Sequence, residues 1–223
     1  MSMQPETTTK KGSCFRRFFG MFKDSAKEFK SLRTIVICGL MAALAIVLSS
    51  TTSFYITNEI KIGFSGLPNR LVDFMFGPVV GCFFGGLMDI VKFFIKPDGA
   101  FFPGYTLTAM VGGLIYGMFY YRLKIKQPQL TDETGWPKVK AWIFANISSI
   151  LLIFIANVLV KFICNMGLNT LWSSMFTGKA WIALLSTRII KNLIQIPVDT
   201  VLHFVLLKLF CQLKRYLLPD NNR

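Results

Sequence analysis

The sequence predicts an all-α membrane protein: a six-transmembrane-helix bundle with N and C termini cytoplasmic. Three observations predict it. Apolar residues fill 53% of the 223 positions and charged ones only 16%, with a mean hydropathy of +0.51. That is too little charge to cover a water-soluble domain of this size. The apolar residues gather into six runs. Of the 25 Lys and Arg, set against 11 Asp and Glu for a net charge of +14, 17 collect in three segments that an even number of crossings puts on one side. Lys10, Lys11, Arg16, Arg17, Lys23, Lys27, Lys30 and Arg33 precede the first run, and five more lie between Arg122 and Lys140. Lys208, Lys214, Arg215 and Arg223 close the chain. The positive-inside rule makes that side cytoplasmic.

Residues 1–33 form a basic, Phe-rich tail. Within it Phe15, Phe18, Phe19, Phe22, Ala26 and Phe29 share one helical face, the pattern of a helix lying in the membrane interface. A secretory signal is the alternative, since Ala43-Leu44-Ala45 imitates a cleavage site. The apolar run starts only at Thr34, after a long charged tail, so a retained anchor fits better. Thr34–Thr52 is the first span. Ile56–Gly66 is irregular, with room for a short extended hairpin. Leu67–Gly77 is a short second helix, hinged at Gly77–Pro78 to a third over Val79–Ile95. A span needs about 17–25 residues, so the second cannot cross without tilt or neighbours. Lys96–Pro103 is irregular, Tyr105–Tyr121 the fourth helix, Ala141–Ile163 the fifth and Lys179–Leu213 a long sixth. Residues 34–215 thus make one membrane domain, followed by a tail at 216–223.

Several function classes drop out. A soluble enzyme and a disordered chain are excluded by composition. The five cysteines show no CxxC spacing, and four of them sit in apolar runs where a thiol behaves as a small hydrophobe. No metal site or cofactor is expected. There is no GxxxxGK[ST] to cradle ATP and no Gly-x-Ser-x-Gly elbow. The basic segments hold no nucleic-acid reading module, and anionic lipid accounts for their charge.

Ionisable residues inside spans are the best functional pointers, because they are costly there. On the sixth helix Arg188, Lys191, Asn192, Gln195, Asp199 and His203 fall on one arc of about 120° at ~100° per residue, with Pro197 opposite. Asn146, Asn157, Lys161 and Asn165 form a weaker stripe on the fifth. With Lys161 near the outer end of its helix, four cations (Arg70, Lys161, Arg188, Lys191) converge on the outer half. Phe101, Phe102, Tyr105 and Trp172 lie in the covering loops. Cations plus aromatics suit an anionic ligand with a flat ring. A purely structural reading stands beside this: Arg70 pairs Asp73, Asp89 pairs Lys92, and Lys191–Gln195–Asp199 braces the sixth helix. Asp199 and His203, one turn apart, also read as a proton relay.

Two stretches carry a resemblance. One is Gly77-Pro78-Val79-Val80-Gly81 with Gly85, Gly86 and Asp89, followed by Phe102-Pro103-Gly104-Tyr105-Thr106-Leu107-Thr108-Ala109. The other is Arg188-Ile189-Ile190-Lys191-Asn192 followed by Pro197. Together, over about residues 33–215, they resemble the substrate-binding (S) components of energy-coupling factor vitamin transporters, and point toward the folate-type members. The resemblance implies a six-helix protein of the bacterial plasma membrane, not an enzyme, that binds one vitamin from outside. It also implies a transmembrane coupling subunit and two ATPase subunits, with the S component toppling in the membrane. The family docks its coupling subunit on a small-xxx-small surface of helix one, for which Gly39, Ala43, Ala45 and Ser49, with Ala42 beside them, are the candidates. Packing of that surface inside the bundle, against the sixth helix, is the competing use.

For folate, the loop aromatics with Asn157 and Asn192 would receive the pterin. Arg188, Lys191 or Arg70 would take the glutamate carboxylates, while Tyr105 and Thr106 close the wall. Another vitamin such as pantothenate is the nearest alternative, since other members share much of the Phe-Pro-Gly-Tyr-Thr pattern. A stand-alone proton-coupled secondary transporter using Asp199 and His203 is the rival of a different class.

Overall fold

Helix α1 (Lys11–Glu28) opens the computed structural model, which describes residues 11–51, 53–57, 60–95, 101–121, 123–125, 144–178 and 181–217. A turn at residues 29–31 leads into α2 (Leu32–Thr51), where Thr34 Oγ1 donates to Glu28 Oε2 at 3.0 Å. α2 is apolar on nearly every side, and Leu32, Ile35, Val36, Leu40, Leu44 and Val47 are exposed. In lipid that is the stable arrangement, because the surrounding acyl chains are as apolar as the side chains. The expected hairpin follows, beginning slightly earlier than the sequence suggests. Strands β1 (Ser53–Thr57) and β2 (Ile60–Gly63) pair antiparallel, with Phe54 opposite Ile62 and a register shift between Tyr55 and Thr57.

The hinge at Gly77–Pro78 is a reversal. Helix α3 (Leu67–Ile95) breaks at Gly77, whose φ of 85° and ψ of −169° only glycine adopts without strain. Pro78 then pre-sets the backbone at the start of the next limb. That the limbs (residues 67–76 and 78–95) fold back on each other follows from two contacts. Lys92 Nζ reaches Ser65 O and Oγ, both at 3.4 Å. A Cβ on Gly81 would collide with the Asp73 carboxylate. Val72 and Phe76 from one limb and Val80, Phe84 and Met88 from the other close a core against Ala45 of α2.

Helix α4 (Pro103–Tyr120) lies antiparallel to the second limb at very short range. Gly113 faces Gly81, Gly85 faces Ala109, and Gly117 faces Pro78, so side chains at these positions would strike backbone. Small residues at every fourth position let two helices approach this closely.

The fifth apolar run departs from expectation. It forms α5 (Ile147–Val160), then wide i→i+5 turns over Lys161–Leu168, then α6 (Asn169–Thr177) ending at Gly178 in the left-handed conformation. The helical run therefore passes well beyond Ile163, and Lys161 lies within it, not near its outer end. Its first three expected residues, 141–143, fall outside the described residues, as do most of the 122–140 loop, the 1–10 and 218–223 tails and residues 96–100. Helix α7 (Trp181–Leu217) has its polar stripe facing the bundle and Ile182, Ile190, Leu193, Ile194, Val201 and Leu209 exposed.

Among the described residues, Leu32–Thr51, Leu67–Ile95, Ile147–Phe176 and Arg188–Gln212 are long and apolar enough to cross a membrane. A second core of Leu71, Tyr116, Tyr120, Leu123, Ile153, Ala156, Phe204 and Leu207 ties α3, α4, α5 and α7 together. This core lies toward the end that carries α1, Gly77 and Tyr121, the inner end if the charge distribution sets the orientation as the sequence predicts. Phe102, Trp172 and Arg188 mark the opposite end, outer in the same sense.

Candidate functional site

The inward polar residues of α3, α4, the fifth helical run from α5 to α6, and α7 divide into two tiers. In the inner tier the described cations and carboxylates form ion pairs, although Arg70 Nη1 and Asp73 Oδ2, in contact as charges, make no hydrogen bond of good geometry. Arg70 Nη1 lies 2.8 Å from Asp73 Oδ2, and its guanidinium stacks 3.7 Å over the Tyr116 ring. Tyr116 donates to Asn157 Oδ1 at 2.8 Å, and Asn157 Nδ2 donates to Thr200 Oγ1 at 3.0 Å. Lys161 Nζ lies 2.8 Å from Asp199 Oδ2, joining the fifth helical run to α7. The Tyr120 hydroxyl is 3.0 Å from His203 Nδ1. Low dielectric explains the pairing: an unpaired buried charge costs several kcal/mol.

In the outer tier the one arginine has neutral partners. Arg188 donates from Nη1 to Asn165 O at 3.1 Å and from Nη2 to Ser173 Oγ at 2.6 Å. Ser173 Oγ is also 3.1 Å from the Tyr105 hydroxyl. Phe102, Tyr105 and Trp172 form an aromatic group, with ring centroids 6.0 Å apart for Phe102–Tyr105 and 5.5 Å for Phe102–Trp172. The Trp172 indole donates to Thr108 Oγ1 at 3.1 Å, and Thr106 donates to Asp89 Oδ2 at 2.8 Å. A chain of amides runs beneath: Asn169 Nδ2 donates to Asn165 Oδ1 (3.1 Å), and Asn165 Nδ2 to Asn192 Oδ1 (3.3 Å). At its two ends, Asn169 Oδ1 and Asn192 Nδ2 are buried and unpartnered. A buried acceptor and donor left open are costly in a finished core and useful in a receptor.

The structure sorts the expected residues accordingly. Phe102, Tyr105, Arg188 and Asn192 come together at the outer end, with Thr106 beside them on α4. Arg70, Asn157 and Lys161 join the inner tier. The four-cation convergence is corrected: Arg70 and Lys161 are bonded to carboxylates, and Lys191 is half-buried on α7. Arg70–Asp73 is the local pair the structural reading named. Asp199 pairs across helices with Lys161, not along α7, and Asp89 accepts from Thr106. On α2, Gly39 and Ala43 are exposed, Ser49 and Ala42 are partly covered, and Ala45 is fully buried in the core against α3. That burial removes Ala45 from any docking surface, and the internal partner of α2 is α3, not the last helix.

Asn165, Asn169, Trp172 and Ser173 carry more of the outer tier than the sequence reading gave them. Their signal was available. Asn157, Lys161, Asn165, Asn169 and Ser173 recur at every fourth position. In an α-helix such a stripe drifts about 40° per step. The i→i+5 turns at Lys161–Leu168 unwind that drift and keep the stripe facing inward.

A family model described as "ECF transporter, substrate-specific component" matches residues 33–207. The folate transporter FolT of Clostridium novyi (strain NT) is 30% identical over 172 residues, 77% of this chain and 86% of that protein. The folate transporter FolT of Leuconostoc mesenteroides is 31% identical over 180 residues, 78% of this chain and 84% of that one. A crystal structure of FolT bound with folic acid superposes with a TM-score of 0.62 at 26% identity, covering 79% of this chain and 93% of that chain.

Proposed function

The chain belongs to the family of substrate-specific components of ECF transporters, and we propose that it is the folate-binding subunit of such a transporter. The observation that carries the reading is the outer tier. Folate joins a flat pterin, rich in donors and acceptors, to a glutamate with two carboxylates. Phe102, Tyr105 and Trp172 offer flat faces. The open ends of the amide chain at Asn192 and Asn169 offer a donor and an acceptor. Arg188, held by neutral groups, is a cation whose charge a ligand carboxylate completes. Likeness to two folate transporters supports folate over pantothenate.

The proposed assembly is a single membrane domain over residues 34–215 that crosses six times, both termini cytoplasmic, in the bacterial cell membrane. A coupling subunit and two ATPases supply the energy, and this chain performs no chemistry. Gly39 and Ala43 are the exposed small residues of α2 for docking the coupling subunit. The proton-relay rival is disfavoured because Asp199 and His203 are each bonded to a different partner, Lys161 and Tyr120.

The test is titration of the purified protein with folate and with pantothenate, followed by flux in vesicles. Saturable folate binding without flux by the chain alone is expected. Preference for pantothenate, or proton-coupled flux by the chain alone, overturns the reading.

A further inference from the structure

Helix α1 precedes the family-matched segment and lies outside the proposed folate site, yet it is built into the molecule. Ser25 is fully buried at the α3 reversal. Its hydroxyl donates to Phe76 O at 2.6 Å and accepts from the Val79 N–H at 3.0 Å and the Val80 N–H at 3.3 Å. These are the backbone groups that a helix end leaves without partners. One side chain from α1 therefore caps the end of one limb and the start of the next. Met21, one turn earlier, is buried on the same ridge.

The faces of α1 then follow in order. Beside the docked ridge, Phe18 stacks on Phe19 and Phe22, with centroids 5.9 and 5.2 Å away, while Phe18 and Phe19 remain exposed. Phe29, just past the helix, meets Phe83 of α3 edge-on at 5.4 Å and stays exposed too. Lys23, Lys27 and Lys30 are exposed, and at about 100° per residue Lys23 and Lys27 lie opposite Ser25. Docked ridge, phenylalanine ridge and cation ridge is the sequence of surfaces a helix needs at the edge of a bilayer. It sits against protein, then acyl chains, then phosphates. The phenylalanines continue the exposed apolar surface of Leu32, Ile35 and Val36 on α2. The tail as a whole carries eight cations against Glu6, Asp24 and Glu28.

We propose that α1 is an anionic-lipid-binding anchor, locked to the α3 reversal by Ser25 and gripping headgroup phosphates through Lys23, Lys27 and Lys30. The occupant is the headgroup of a bilayer lipid such as phosphatidylglycerol. The inference stands apart from the folate reading.

The test uses the full chain in nanodiscs of phosphatidylcholine with or without phosphatidylglycerol. Amide exchange over residues 18–30 and lipid retention by native mass spectrometry are the readouts. Phosphatidylglycerol should slow exchange in α1 and be retained preferentially. Lys23→Gln/Lys27→Gln/Lys30→Gln, which keeps helix propensity, should lower that preference about 10-fold or more and leave folate binding unchanged. Ser25→Ala should speed exchange in α1 and at residues 76–80 together. Equal protection in both lipids, or a triple variant that retains phosphatidylglycerol like the parent, overturns the proposal. So does protection that appears only when a coupling subunit is added, which assigns the surface to a protein partner.

Discussion

The inner and outer tiers of the bundle contain the same kinds of residue and use them differently. The inner tier holds Arg70 and Lys161, the outer tier Arg188, and each has asparagines and tyrosines, drawn from α3, α4, the fifth helical run and α7. Inside, Arg70 and Lys161 are bonded to Asp73 and Asp199, and both ends of the Asn157 amide are taken. Outside, Arg188 leans on a carbonyl and a hydroxyl, and the amide chain stops at an open acceptor and an open donor. The difference teaches that an intramembrane charge is not by itself a binding residue. What separates structural from receptive polar groups is whether the protein already satisfies them.

The comparison breaks first where a pair is severed. Asp73→Ala leaves Arg70 buried with only the Tyr116 face, and removal of one partner from such a pair costs about 3–5 kcal/mol. The midpoint of thermal unfolding in detergent should fall sharply. An unchanged midpoint would mean that the inner tier is not the brace described.

Next comes the outer cation. Arg188→Ala should weaken folate binding by about 1.5–3 kcal/mol, the range for a charge-assisted hydrogen bond. Unfolding should move little, since Arg188 holds neutral partners. Titration calorimetry and a melting curve on one preparation separate the two effects. Lost stability with unchanged affinity would place Arg188 with the inner tier.

Asparagines give the sharpest contrast, because the residue type is held constant. Asn192→Ala should lower folate affinity by about 1 kcal/mol and cost less stability than the Asn157 change, as its Nδ2 has no partner and its Oδ1 accepts one long bond from Asn165 Nδ2 at 3.3 Å. Asn157→Ala strands two buried partners, Tyr116 and Thr200, and should cost about 1–3 kcal/mol of stability instead. Chemical denaturation of both variants, with and without folate, is the measurement. If the two respond alike, the division into tiers is not energetic.

Much of this was legible in the sequence, and the reasons it stopped are physical. The α7 stripe from Arg188 to His203 follows from helical periodicity alone, and the reversal from Gly77-Pro78. Arg70–Asp73 is a local i,i+3 pair, so spacing reveals it. Lys161–Asp199 joins helices far apart in sequence, and no periodicity says which carboxylate meets which lysine. The expected fifth helix ends at Ile163 because the continuous apolar run ends there, with Gly167, Asn169 and Thr170 beyond it. Wide turns carry the helix through them, and with it Trp172 and Ser173. Ser25 gave no signal, since a serine amid lysines and phenylalanines is unremarkable until the α3 break lies beneath it.

The smallest expected effect tests how Arg188 is aimed. Ser173 Oγ stands between Arg188 Nη2 and the Tyr105 hydroxyl, at 2.6 and 3.1 Å. The three form a chain from α4 through α6 to α7, in which Ser173 is the hydrogen-bonded link between Tyr105 and Arg188. Tyr105→Phe keeps the ring and its contact with Phe102 and removes only the hydroxyl. Folate affinity should fall by about 0.5–1 kcal/mol, the low end for a neutral hydrogen bond. A lost wall contact and a mis-aimed arginine would look alike in that one number, and a double-mutant cycle separates them. If Tyr105 works through the chain, Tyr105→Phe should cost nothing further once Ser173→Ala has cut it. If the hydroxyl touches folate directly, the two losses should add. Additivity would leave Arg188 oriented by Asn165 and Ser173 without Tyr105 and would move Tyr105 from the support of the outer tier to its binding surface.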